Sequence, residues 1–261
     1  MNSARRFRTC IPPAIAMAVA LALAHETGAQ GTLLELSSQD QQNLTNFLGA
    51  GVVGQALPSP QIADASVYFP LAQRASTFLV TSGKNAGNQQ TLHVTSGQRP
   101  NGNPAWRLEL SPSLFAFINH KPSGDLLMTA VSDTSEGVVV VTTPATPFVI
   151  QGMKPGDSRR VSQHVSVNYL DDPTDQRYSG SLTGTYTYAG TFQLTVPAGS
   201  YPAILVRENL SGKIGPAHTQ DTAYYFLAPG VGVVAMISQE DVEAFWIIHI
   251  DTRTGKVLAS Q

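Results

Sequence analysis

From about Val67 onward the side chains alternate apolar and polar with a period of two residues, and this pattern restricts the fold more tightly than anything else in the chain. In Val161–Tyr169, Val161, Val165, Val167 and Tyr169 fall on one side, with Ser162, His164, Ser166 and Asn168 on the other. Ser181–Tyr188 sets Leu182, Tyr186 and Tyr188 against serine and threonines. Ala105–Leu110 sets Trp106, Leu108 and Leu110 against Arg107 and Glu109. Gln89–Thr95 and Thr191–Val196 repeat the pattern, and Tyr201–Leu210, Ala223–Leu227, Val231–Ser238 and Glu243–Asp251 read as later strands. Such alternation with β-branched and aromatic residues marks strands buried on one face. The gaps between them are short and rich in turn residues, which favours antiparallel pairing, since parallel strands need long crossovers. The expected fold is mainly β: an antiparallel curved sheet, half-barrel or sandwich of roughly 11–13 strands, with one short amino-terminal helix.

Before Val67 the pattern differs. Arg5, Arg6 and Arg8 precede the apolar stretch Ile11–Ala24, and small residues follow, which is the layout of a secretory signal peptide over residues 1–29. Residues 30–60 are expected to hold a short helix and a linker, and residues 61–261 the β domain. Ser38 can cap the helix with Gln41 three residues on, Leu44, Phe47 and Leu48 share a face, and Gly49 can close it. Gly and Pro in Gly49–Pro60 argue against a regular element there.

Composition removes several functions. The only cysteine, Cys10, lies in the leader, so the exported chain has no disulfide, thiolate nucleophile or cysteine metal ligand. A leader ending at Ala24 takes three arginines with it and leaves 13 basic against 18 acidic residues. That balance and the lack of a basic run argue against nucleic acid as a partner. No later apolar run is long enough for a membrane helix. Gly230-Val-Gly232-Val-Val-Ala235 matches the spacing of a dinucleotide loop, but that loop needs a helix after its glycines. Here β-branched residues follow, so Pro229-Gly230 reads as a type II turn between two strands, and no cofactor is expected.

The histidines lack catalytic or metal-ligand spacing. His93 and His164 fall on polar faces, and His25 and His120 belong to no motif. His218 with Asp221, in the loop Ser211–Asp221, and His249 with Asp251, two apart on a strand, are the candidate pairs for hydrolysis or metal binding. Neither has an identifiable nucleophile or third ligand. The acidic loop Asp171–Asp175 lacks the spacing of a Ca²⁺-binding loop. The richest feature is the aromatic set Trp106, Phe115, Phe117, Tyr186, Tyr188, Phe192, Tyr225 and Trp246, which either fills a core or lines an apolar pocket.

Val-Pro-Ala-Gly-Ser-Tyr-x-Ala at 196–203, followed by Tyr-Phe-x-Ala-Pro-Gly-Val-Gly-x-Val at 225–234, resembles the carboxy-terminal half of a group of exported bacterial β-rich proteins, mostly of unknown function. Tyr68-Phe69-Pro70-Leu71 and Lys154-Pro155-Gly156-Asp157 sit where such chains begin each set of strands. Arg74, Thr77 and Arg159 depart from that pattern, replacing a glycine and two aromatics. The resemblance implies the architecture of periplasmic lipoprotein-carrier half-barrels, whose concave face holds an acyl chain. The inward aromatic set and the absence of a catalytic motif make the expected function that of a non-enzymatic protein, periplasmic or extracellular, binding an apolar or amphipathic lipid-like ligand on a concave sheet face. The alternatives are a hydrolase using His218 or His249 with a nearby Asp, and a structural or assembly protein that meets a cell-envelope partner through strand edges.

Overall fold

The computed structural model describes residues 32–244 and 248–261, with side chains for all of these except 242–251. The leader 1–29, with His25, lies outside the described residues. The chain enters through α1 (Ser38–Leu48), β1 (Val53–Leu57) and the one-turn α2 (Ala65–Tyr68). Twelve further strands follow: β2 (Arg74–Ser82), β3 (Gln89–Gln98), β4 (Pro104–Glu109), β5 (Leu114–His120), β6 (Leu126–Asp133) and β7 (Val138–Val149), then β8 (Ser158–Tyr169), β9 (Gln176–Val196), β10 (Gly199–Ile214), β11 (Ala217–Ala228), β12 (Gly232–Ala244) and β13 (Ile248–Ser260).

Each strand from β2 to β13 pairs antiparallel with the next, and β13 returns to β2. The expectation of an open curved sheet, half-barrel or sandwich is corrected: the sheet closes into a twelve-stranded up-and-down barrel. Closure removes the sheet edges that a half-barrel would leave exposed. β1 is an addition. It pairs with Leu194, Phe192 and Thr191 on β9, past the stretch of β9 that pairs with β8. The expected linker thus carries a strand, which its three glycines and lack of alternation conceal. The single strand expected at Glu243–Asp251 is also corrected, because β12 ends at Ala244 and β13 runs back from Ile248, pairing Glu243 with His249.

Two turns match their residues. Gly230 has φ 75° and Val231 N–H donates to Ala228 O at 3.1 Å, which places the Gly-x-Gly sequence at the β11–β12 turn. Val196 pairs with Gly199 across the β9–β10 turn. The α1 cap sits one residue earlier than expected: Ser37 Oγ accepts from Asp40 N–H at 3.1 Å and donates to the Asp40 carboxylate at 2.7 Å.

Directly paired residues share a sheet face, so the ladder Arg159–Tyr186–Glu208–Ala223–Ser238 traces one side of the barrel wall. That side also carries Phe78, Leu92, Leu108, Ile118, Val165 and Leu182, all buried, and it is the lumen side. The opposite side exposes Thr91, His93, Arg107, His164 and Thr185 and is the outer side. α1 packs on the outside, where Leu44 and Leu48 are buried and Thr81 Oγ1 donates to Phe47 O at 2.6 Å. A twelve-stranded ring is wide enough to enclose empty space, yet this one is crossed by side chains. The Phe148 ring on β7 meets Phe69 at 5.0 Å and Tyr225 on β11 at 5.3 Å, both edge to face. Tyr186 Oη donates to Phe148 O at 2.9 Å.

Candidate functional site

The predicted aromatics do not form one surface. Trp106, Tyr186, Tyr188 and Tyr225 stand on the lumen side. Phe115 and Phe117 stand on the outer side, opposite Glu109 and Arg107, and Phe117 joins Ala105, Ala130 and Val139 in a small separate cluster. Phe192 is also on the outer side, with its ring 6.4 Å from Phe226. Trp246 lies outside the described residues. Tyr186 and Tyr188 are fully buried and act as core, each spending its hydroxyl on a backbone carbonyl, Tyr186 on Phe148 and Tyr188 on Pro60.

The histidine pairs fare differently. His218 and Asp221 are on β11 rather than in a loop, and three residues apart on a strand puts them on opposite faces. His218 is exposed outside and Asp221 points into the lumen, so the structure does not bring them together. The side chains of His249 and Asp251 lie outside the described residues. His93 and His164 are exposed, and His93 Nδ1 pairs with Glu109 at 2.8 Å. Asp172 spends its carboxylate on Thr174, accepting from its N–H at 3.0 Å and its hydroxyl at 2.6 Å, so the acidic loop closes on itself. Among the described residues no group of three or more His, Asp or Glu side chains is arranged to hold a metal ion.

Sequence reading missed a row of lumen carboxyls on adjacent strands: Glu208 on β10, Asp221 on β11 and Glu240 on β12. Burial, reinforced by Asp221, pushes Glu208 up to about 8, and its Oε1 is buried without a hydrogen-bond partner. Burial, with the charge of Glu240, pushes Asp221 up to about 7, against a hydrogen bond from Thr219. Glu240 is raised by burial and by Asp133, which belongs to β6 on the far wall. Glu208 and Asp221 therefore share a water-poor space in which ionising both is costly.

A large cleft lies at the seam where the barrel closes. β2 ends at Ser82, opposite Gly255, while β13 begins seven residues earlier at Ile248. The resulting gap, about 740 Å³, lies between β13, the β2–β3 hairpin loop and the β4–β5 turn. That volume falls within the usual range for small-molecule sites. Its wall on the hairpin side offers the amides of Asn85, Asn88, Gln89 and Gln90, and β13 offers the hydroxyls of Thr252 and Thr254. The charged groups are Lys84, Arg253 and Lys256; among the described residues no carboxylate lines the cleft. Gly83 makes the close approach possible: its φ is +89°, and a Cβ there would stand 2.4 Å from Arg253 O. Lys256, only 7% exposed, points to the lumen side and donates to Leu110 O. Burial lowers its pKa to about 8, against the opposing effect of Glu109.

No family model matches the sequence, and no curated protein matches it. Solved structures do align with it. One is a protein named as a lipoprotein from Parabacteroides distasonis, 15% identical, covering 76% of this chain and 99% of its own, TM-score 0.33. Another is a protein named as exported, with a YmcC-like fold, from Bacteroides fragilis, 12% identical, covering 74% and 98%, TM-score 0.40. A third is the hypothetical lipoprotein YmcC from Escherichia coli, 15% identical, covering 87% and 97%, TM-score 0.36. Likenesses this loose carry no argument about what the chain does, and the functional reading rests on its own geometry. Among the described residues no helix is long and apolar enough to cross a membrane.

Proposed function

We propose that this protein is an exported, non-catalytic β-barrel that binds a small polar ligand in the seam cleft. The arginines ahead of Ile11–Ala24 support export. The observation that carries the binding site is the contrast between two spaces. Phe69, Phe148, Tyr186 and Tyr225 occupy the lumen, which leaves little support for an acyl chain there. The seam cleft is open and lined by hydrogen-bonding groups. A non-catalytic reading is supported by the separation of His218 from Asp221. Strand-edge assembly has less support, since every strand from β2 to β13 has a paired neighbour on each side.

Native mass spectrometry of the protein purified from its own host tests this, alongside Asn88→Trp, which places an indole in the cleft from an exposed loop position. The expected result is a polar adduct on the native protein that the variant loses. An adduct with the mass of a lipid, or one retained by the variant, would overturn the reading.

A further inference from the structure

We propose that the seam cleft selects an anionic, polyhydroxylated solute, of the acidic-oligosaccharide class, and that Lys256 is the buried charge that makes the selection. This rests on the seam cleft being the binding site.

The chain carries 16 basic and 18 acidic residues, so a cleft with three cations and no described carboxylate departs from the average of the molecule. A recess lined by one sign of charge concentrates ions of the opposite sign and raises their rate of encounter. The cations come from separate segments: Lys84 from the β2–β3 loop, Arg253 and Lys256 from β13. Lys84 and Lys256 therefore suit charge spread along a ligand. Between them stand amide and hydroxyl groups, which donate to and accept from sugar hydroxyls.

Lys256 differs from the other two. Lys84 is exposed and screened by water and salt, and Arg253, also exposed, is engaged with another residue, whereas Lys256 is almost wholly buried. Among the described residues its ammonium makes one hydrogen bond, to Leu110 O, out of three N–H groups it can donate. Glu109 lies near enough to act on this ammonium through space but makes no hydrogen bond to it, so a ligand carboxylate entering the cleft that Lys256 borders would add a direct acceptor and a second opposite charge. A neutral ester of the same skeleton supplies neither fully, and this difference is what discriminates.

The test is calorimetric titration of the full exported chain with trigalacturonate and with its fully methyl-esterified form, at constant ionic strength. The free acid is expected to bind at least tenfold more tightly than the ester. That ratio should collapse toward one in Lys256→Gln and shrink about two- to threefold in Lys84→Gln, an exposed loop change that leaves the fold intact. Circular dichroism of Lys256→Gln checks its folding, and Lys84→Gln keeps the test decisive if that variant misfolds. Equal binding of acid and ester would overturn anion selection while leaving the seam as a binding site. Binding of neither probe at millimolar concentration would overturn both. An acid preference unchanged in both variants would overturn the assignment of the charge to this cleft.

Discussion

Arg207 Nη1 on β10 donates to both carboxylate oxygens of Asp40 on α1, at 2.7 and 2.5 Å, and so fastens the helix to the outer wall of the barrel. Tyr224 Oη adds a donor to Asp40 Oδ1 at 2.9 Å, and Asn43 Nδ2 donates to Tyr224 Oη at 3.1 Å. Asp40→Ala would leave the guanidinium without its counter-ion. With the Arg207 side chain 25% exposed, water recovers part of the loss, so about 2–3 kcal/mol is expected, toward the lower end for a buried pair. Urea denaturation measures it, and hydrogen exchange should show α1 amides losing protection before the strands do. A loss below about 0.5 kcal/mol would place the pair with ordinary surface salt bridges.

The same carboxyl sets an acid limit. Burial alone would raise Asp40, but hydrogen bonds from Ser37, Arg207 and Tyr224 outweigh it and hold its pKa below the usual value. A depressed folded pKa stabilises above the unfolded value, and the gain disappears as pH falls through the folded one. Docking of α1 should therefore weaken below about pH 4. Asp40→Asn should remove that part of the acid transition.

The lumen carboxyls act in the opposite direction. Glu208 and Asp221 have folded pKa values raised to about 8 and about 7. The unfolded chain ionises first as pH rises, so stability is greatest below the unfolded carboxylate values. It declines through the interval up to the folded ones. Thermal midpoints should fall steadily from about pH 4 to about pH 8 and then level. Glu208→Gln removes one ionisation without changing shape. It should raise the midpoint at pH 8–9 and flatten the slope; a lower midpoint at pH 9 would rule this account out.

The barrel was legible where local rules apply. Val161–Tyr169 alternates because one face of β8 is buried, and Gln163 fits its lumen face by donating to Thr146 Oγ1 at 2.9 Å. Pro229-Gly230 specifies its turn without help from the rest of the chain. Closure was not legible, since it depends on β13 meeting β2 from the two ends of the strand order. Nor could alternation say which face was the interior. Phe117 looks like Tyr186 in sequence, yet it faces outward within a separate apolar cluster. The seam cleft escaped because Lys84, Asn85 and Asn88 read as ordinary turn residues. One signal did exist: Lys256 stands beside Val257 and Leu258, both buried. A lone cation at the start of an apolar run hints at a buried charge. Arg74, where related patterns place a glycine, packs its guanidinium 4.7 Å from the centre of the Phe69 ring and donates to Pro70 O.

Gly83 and Gly87 form a matched pair for the seam. Both lie in the β2–β3 loop with φ near +90°, at +89° and +88°, so alanine at either costs about 1–2 kcal/mol for the left-handed backbone. Only at Gly83 does the new Cβ meet backbone, 2.4 Å from Arg253 O; at Gly87 nothing lies within 4 Å. Gly83→Ala should therefore destabilise more than Gly87→Ala, and it alone should push the loop from β13 and change binding in the cleft. Equal effects in denaturation and in ligand titration would show that the loop does not rest on β13.

Phe148 is the side chain on which the filled lumen depends. Phe148 is 1% exposed, and its ring sits edge to face between Phe69 and Tyr225, bridging the residue that follows α2 and the β11 wall. The Tyr186 hydroxyl bonds to the Phe148 backbone carbonyl, so truncating the side chain leaves that bond in place. Phe148→Ala should cost about 3–5 kcal/mol, the sum of lost transfer energy and the cavity left behind. Because aromatic rings line that cavity, it should stay dry and admit an apolar probe such as benzene. Calorimetry with benzene should therefore show binding to Phe148→Ala and none to the native chain. Benzene binding by the native protein would mean the interior already holds free apolar space, and an acyl ligand in the lumen would regain the advantage over the seam. A variant that binds no benzene and loses under 1 kcal/mol would mean that neighbouring side chains collapse into the gap and that the aromatic bridge contributes little.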